Sequence, residues 1–149
     1  MRKLLALPVR LVPFLVLSLA GCSRGGRGAC NHLVYEQGGL TRAQYLPCAH
    51  EMLATMDALD ETLEPLLKGD QRALLRARGL YARLDDQIRG AGGRNLIEGW
   101  EDASLNRLNI KLWNAYTSYQ GVMAIPNRQD AESARGSKEE ARGIYEELR

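Results

Sequence analysis

The side chains best suited to chemistry are two cysteines, each followed two residues later by a histidine. They form the pairs Cys30-x-His32 and Cys48-x-His50, and the chain has no other histidine. Two cysteines and two histidines can bind zinc tetrahedrally, although this spacing is not the usual Cys-x₂₋₄-Cys knuckle. In an oxidising compartment the cysteines would pair with each other instead. We expect a disulfide between Cys30 and Cys48, worth roughly 3 kcal/mol for a loop of about 18 residues; bound zinc and free thiols are the alternatives.

No other residue pattern indicates catalysis. The sequence contains no Gly-x-Ser-x-Gly motif, no phosphate-binding loop and no Gly-x-Gly-x-x-Gly motif. The glycine-rich segment 90–93 lacks the Lys-Ser/Thr ending of a phosphate loop. Adjacent carboxylates such as Asp60-Glu61 point about 100° apart on a helix, so we interpret them as solvated helix faces. We therefore predict that the protein is not an enzyme and has no cofactor or bound metal.

One helical face combines aromatic rings with side-chain amides. Its members recur at helical spacing and are Asn106, Asn109, Trp113, Tyr116 and Gln120. They lie about 110° around the helix from a stripe of leucines. Large, partly polar side chains suit recognition of a protein or a sugar ring. We predict a partner-binding face here. The alternative is that the face packs beneath the first or the fourth helix, with its amides capping loops.

The N-terminal segment has the pattern of a secretory signal. Met1-Arg2-Lys3 begins a basic stretch, and residues 11–20 are almost continuously apolar. A basic start, a short apolar core and small residues at its end are typical of a signal peptide. A transmembrane helix needs about 20 apolar residues, and this run is shorter.

The apolar run ends in Leu19-Ala20-Gly21-Cys22, which resembles the lipobox of bacterial lipoproteins at every position. In that family the cysteine thiol receives a diacylglyceryl group, and the chain is cleavable just before it. The resemblance implies that residues 1–21 are removed and that Cys22 is lipidated. In the same family an Asp after the lipidated cysteine favours retention in the inner membrane. Because Ser23 follows Cys22 here, the resemblance further implies that the protein is located in the outer membrane. An ordinary signal peptide with an incidental cysteine is the alternative.

Removal of the leader also changes the charge of the protein. Without Arg2, Lys3 and Arg10 the net charge falls from +2 to −1, which excludes a general binder of polyanions such as nucleic acid. Residues 22–40 then form a lipid-anchored tether and loop. The tether segment 23–29 contains three glycines and has a root-mean-square reach of about 15 Å.

The apolar pattern of the remaining residues, 41–149, predicts a helical periplasmic domain. Apolar residues at three- and four-residue spacing indicate four helices, over about 47–67, 71–90, 96–124 and 131–148. Asp70 is the expected cap of the second helix, and Asp130 is the expected cap of the fourth. Thr41 and Gln44 suggest a separate helical turn, and Asn95 a cap for the third helix. We expect an all-α fold: an antiparallel bundle of three to four helices after a lipidated flexible tether.

These features predict an outer-membrane lipoprotein that faces the periplasm. Its expected role is non-catalytic: it would bind or position a protein partner in the cell envelope. The chain is similar in size and plan to pilotins, small helical lipoproteins that chaperone secretins, although no motif identifies it as one. The alternatives are a sensor or carrier of a ligand, haem or metal, and a cell-wall enzyme.

Overall fold

The computed structural model describes residues 28–33, 40–91 and 101–149, and within these ranges it shows helices and no strand. A short 3₁₀ helix, Ala29–His32, precedes α1 (Arg42–Leu67) and α2 (Gln71–Gly90). After the undescribed segment 92–100 follow α3 (Ala103–Ala124) and α4 (Arg128–Leu148). The four α-helices pack against one another, which confirms the predicted all-α bundle.

The bundle consists of two helical hairpins. In the first, α1 turns into α2 through Lys68, Gly69 and Asp70. Gly69 has φ +83°, a left-handed conformation that favours glycine, and the Asp70 carboxylate accepts hydrogen bonds from the first backbone N–H groups of α2. Asp70 was predicted to cap the start of this helix. The second hairpin, α3–α4, lies beside the first, with α4 running antiparallel to α1.

The core is formed by the apolar stripes expected from the sequence. Met52, Met56, Leu59 and Leu63 of α1 are fully buried. They meet fully buried residues of the neighbouring helices: Leu84, Leu105, Leu108, Leu112, Ala115, Val122, Ala134 and Ala141. The fully buried apolar residues of α4 are alanines, and the larger Ile144, Tyr145 and Leu148 pack against the core near the end of the helix.

The first helix begins earlier than predicted. The structure has one helix from Arg42, with Pro47 inside it, rather than a separate turn followed by a helix from about residue 47. The capping box is present, since Gln44 Oε1 accepts the Thr41 backbone N–H at 2.9 Å. Tyr45 in the first turn is fully buried. Pro47 cannot donate to the Ala43 carbonyl, but Ala43 is exposed, so water can bind that oxygen.

The starts of α3 and α4 also differ from the prediction. Asp102, not Asn95, caps the start of α3 at Ala103; Asn95 itself lies outside the described residues. The cap of α4 is Asn127 rather than Asp130. Asn127 Oδ1 accepts the Asp130 backbone N–H at 2.8 Å, and its Nδ2 donates to the Asp130 carboxylate at 2.7 Å. Asp130 thus occupies the third helical position, where an acidic residue complements the cap.

Candidate functional site

The predicted disulfide is present and closes the N-terminal 3₁₀ helix onto α1. Cys30 and Cys48 are bridged, with their Cα atoms 4.6 Å apart, and both residues are buried. The bridge leaves neither sulfur as a thiolate for the alternative zinc site. His50 is exposed and stacks on Tyr145 at 5.9 Å between ring centroids. The side chain of His32, like the whole of Cys22, lies outside the described part of the chain.

Two further contacts hold the 3₁₀ helix in place. The Ala29 backbone N–H donates to Glu51 Oε1 of α1 at 2.9 Å. At the end of α2, Gly90 packs directly against the Cys30 backbone, where an added Cβ would come within 2.8 Å of the Cys30 carbonyl oxygen. Glycine is therefore required for this close approach. The segment is attached to both helices of the first hairpin.

The predicted partner-binding face of α3 lies largely inside the bundle. Asn109 and Tyr116 are buried, at 4% and 8% exposure. Asn106 and Trp113 are half-buried, and Gln120 is exposed. The contacts of this face with α1 agree with the packing alternative, whereas its contacts with α2 were not expected. Recognition of a partner by these residues stays a prediction, with Gln120 and the edge of Trp113 as its accessible part.

Aromatic rings form a layer between α2 and α3. The Tyr116 ring stacks on Tyr81 of α2 at 5.5 Å and lies 5.3 Å from Trp113. The Tyr116 hydroxyl donates to Asp85 Oδ1 at 2.6 Å, and Asp85 also pairs with Arg89 at 2.8 Å. Burial and the neighbouring Asp85 carboxylate raise the pKa of Tyr116, so this phenol remains a neutral hydrogen-bond donor.

Below this layer, towards the disulfide, the seam contains amide atoms without hydrogen-bond partners. Tyr45 donates to Asn109 Oδ1 at 2.7 Å, which satisfies one side of that amide. Asn109 Nδ2, Asn106 Oδ1 and Gln87 Oε1 are buried and have no partner among the described residues. Because buried polar atoms are nearly always hydrogen-bonded, this seam has unused capacity for a polar group or for water.

A charged cluster that the sequence analysis missed lies on the other side, between α1 and α4. The Lys138 side chain is only 7% exposed, and its ammonium lies 2.9 Å from Asp57 Oδ1 and 2.5 Å from Asp60 Oδ2. Asp60 also accepts the Tyr119 hydroxyl at 2.7 Å, and Arg142 pairs with Asp57 at 2.6 Å. We call these residues the Lys138 cluster. Asp60 was predicted to be solvated and is instead mostly buried.

The described part of the surface also includes a concave feature. A shallow, open cleft of about 230 Å³ lies beside the α1–α2 turn. Its lining residues are Glu61, Thr62, Pro65, Asp70, Arg72, Ala73 and Arg76. Among residues 28–33, 40–91 and 101–149, no three His, Cys, Asp or Glu side chains are grouped to hold a metal ion. None of the helices in those ranges is both long and apolar enough to cross a bilayer.

Comparison of the chain with protein-family models, with curated proteins and with solved structures gives no match. The proposed function therefore depends on the geometry and the charges of the described residues.

Proposed function

We propose that this protein is a lipid-anchored envelope protein that binds or positions a partner in the periplasm, with its anchor on Cys22. The observation that best supports the proposal is the buried Cys30–Cys48 disulfide. Disulfides persist in exported proteins and are rare where thiols are kept reduced. The bridge also begins only eight residues after the lipobox cysteine, so the anchor and the folded domain are closely coupled.

The partner-facing part of the domain is the accessible edge of the α2–α3 seam. There Gln120 is exposed and Trp113 is half-buried against the Tyr116 ring. A ring held by neighbours offers a wide contact at little entropic cost, which is characteristic of protein recognition. Outer-membrane location and a pilotin-like assembly role are the specific forms of this proposal.

A second candidate function is the carriage of a small polar ligand. The unpartnered amide atoms of Gln87, Asn106 and Asn109 favour it, because a ligand with donors and acceptors would satisfy them. Mass spectrometry, absorbance and metal analysis of the purified protein distinguish a retained ligand, haem or metal from an empty domain. Recovery of such a compound in stoichiometric amount would favour the carrier over the positioning protein.

The anchor is tested by Cys22→Ser, which removes the thiol to which lipid would attach. We expect loss of labelled fatty acid and failure of normal processing. Cys48→Ser is the matched control, since it removes a cysteine and the disulfide but leaves the lipobox intact, and it should keep the label. A Cys22→Ser protein that still carries the label and is cleaved normally would contradict the lipoprotein proposal.

The partner is tested by photo-crosslinking in native membranes. A benzoylphenylalanine at Gln120 should capture a distinct envelope protein. The control position is Asn114, which is also exposed on α3 but lies about 120° around the helix. Equal capture at both positions, or none at Gln120, would remove this face from the proposal.

A further inference from the structure

The outward side of α2 is basic although the mature chain as a whole is not. The helix contains five arginines, all of them exposed, and only two carboxylates, Asp85 and Asp86; the arginines are Arg72, Arg76, Arg78, Arg83 and Arg89. Arg76 pairs with Glu61 and Arg89 with Asp85. The other three arginines make no ion pair with any described residue. The unneutralised positive charge of the bundle is therefore concentrated on this helix.

The N-terminal 3₁₀ helix attaches to the same side of α2. Gly90, whose Cα lies against the Cys30 carbonyl, is five helical turns after Arg72. On a helix of 3.6 residues per turn, Arg72, Arg76 and Arg83 lie within about 40° of Gly90. These three arginines and the point where the tether joins the bundle therefore share one side of the molecule, whereas Arg78 and Arg89 lie about 100–120° around α2 from it.

The length of chain outside the structure limits how far this side can be from the anchor. Gly28, the first described residue, lies six residues after Cys22 and next to Glu51 of α1. For a glycine-rich chain of six residues, the root-mean-square reach is about 13 Å and the full extension about 21 Å. A lipid on Cys22 would therefore hold this side of the bundle close to the bilayer.

The adjoining outer face of α1 has small apolar residues and no unpaired carboxylate. Its exposed residues include Ala43, Pro47, Ala54 and Pro65. The carboxylates beside them are all paired: Glu61 with Arg76, Glu51 with the Ala29 backbone N–H, and Asp57 with Lys138 and Arg142. On α2, Leu75 is 70% exposed next to Arg72 and Arg76. Small apolar residues beside unpaired arginines match the interface of an anionic bilayer, where basic groups meet phosphates and apolar groups enter the headgroup layer.

We propose that the α1–α2 face lies against the anionic phospholipid surface of the membrane that carries the anchor, which turns the α3–α4 face towards the periplasm. This inference rests on the proposed lipidation of Cys22. The arginines of α2 add an electrostatic attachment to the lipid anchor, and this attachment would fix the orientation of the bundle on the bilayer. The partner would then be met by the sides of the bundle that face away from the lipid.

Photo-crosslinking of the lipidated protein in anionic vesicles tests this orientation. A benzoylphenylalanine at Ala54 should give adducts with the mass of a phospholipid, and one at Ser133, exposed on α4, should not. The intact mass of each variant shows independently whether Cys22 is lipidated, so loss of the anchor and a wrong orientation are distinguishable. Equal lipid adducts at both positions, or a protein adduct at Ala54, would overturn the proposal.

The electrostatic part is tested without the anchor. A chain of residues 23–149, which has neither the leader nor the lipid, should bind vesicles that contain phosphatidylglycerol more tightly than pure phosphatidylcholine vesicles, and added salt should weaken the binding. Combining Arg72→Gln, Arg76→Gln and Arg83→Gln should lower the affinity on the order of 100-fold, since each arginine near an anionic surface contributes about fivefold.

The matched control for this variant removes three cations from the opposite side, through Arg107→Gln, Lys111→Gln and Arg149→Gln. It makes the same change in net charge and should weaken binding only a few-fold. Similar losses in both triple variants, or no preference for phosphatidylglycerol, would refute a specific membrane-facing side. Circular dichroism checks that both variants keep the helical fold.

Discussion

Replacement of Lys138 by methionine should destabilise the bundle more than any other single loss of charge on α4. Methionine keeps the length and the apolar stem of lysine, so the substitution removes the ammonium with little change in packing. Asp57 and Asp60 would then face each other without the cation that lies between them. Breaking a buried ion pair on one side costs about 3–5 kcal/mol, because it leaves an uncompensated charge.

The surroundings of Lys138 reduce that magnitude. The Asp57 side chain is 47% exposed and keeps Arg142, while Asp60, at 18% exposure, keeps the Tyr119 hydroxyl. We therefore expect a loss of about 2–3 kcal/mol in the free energy of unfolding. For a domain of this size that corresponds to a fall in Tm of roughly 10 °C. Urea denaturation followed by circular dichroism measures the loss directly.

The effect should also depend on pH. Burial alone would raise the pKa of Asp57, but hydrogen bonds from Lys138 and Arg142 outweigh it and lower that pKa. This contribution to stability is present above the ordinary value of 3.8 and is lost as pH falls through the lowered pKa. Burial likewise opposes the charge on Lys138, but hydrogen bonds to Asp60 and Asp57 raise its pKa, so its contribution persists until pH rises past 10.5.

The difference between the wild type and Lys138→Met should accordingly be nearly constant from about pH 5 to 9 and shrink on either side. Lys111→Met is the control, since Lys111 pairs with Glu140 on the exposed surface and should contribute under about 1 kcal/mol. Adding Asp57→Asn and Asp60→Asn to Lys138→Met should recover part of the stability. Equal, small effects of the two lysine substitutions would refute this account of the Lys138 cluster.

Three further substitutions test other parts of the fold. Cys48→Ser should lower the free energy of unfolding by about 2–4 kcal/mol and expose a free thiol on Cys30, measurable by thiol titration and urea denaturation; unchanged stability would contradict the structural role of the bridge. Trp113→Ala should cost about 2 kcal/mol, less than the 3–5 kcal/mol of a fully buried aromatic ring, and a larger fall in Tm would place Trp113 in the core. Asp102→Ala should cost about 1 kcal/mol through loss of the α3 cap, whereas Asp102→Asn should retain most of it, as thermal melting can show.

The sequence was sufficient to predict the parts of the fold that follow from local patterns. The apolar stripe through Met52, Met56, Leu59 and Leu63 gave both the helix and its buried face, because helical spacing and burial coincide there. Gly69 and Asp70 are local signals of a helix end and start, and both are used as such. The disulfide followed from the number of cysteines and the export signal rather than from geometry.

What could not be predicted depends on contacts between distant residues. Asp60 and Lys138 are 78 residues apart, and nothing near Asp60 indicates that an ammonium will cover it. The sequence of α4 did contain an indication of this contact. Lys138 shares one helical face with Ala131, Ala134 and Ala141, which places a lysine in an otherwise apolar seam. The amide–aromatic face of α3 could not be assigned from its residue types. Its mixed polarity suits a partner-binding surface and equally suits a contact of α3 with α1 and α2.

The disulfide also determines how mechanical load would enter the domain. With lipid on Cys22 and a partner held on the bundle, tension along the chain passes from Cys30 through the sulfur bridge into α1 at Cys48. Residues 31–47, including the capped first turn of α1, then carry none of that tension. Forced unfolding depends on the unfolding rate, and peeling a helix from its end breaks one backbone hydrogen bond at a time. Reduction of the bridge would move the loading point back to Thr41, and the same pull would begin to unravel α1 from its cap.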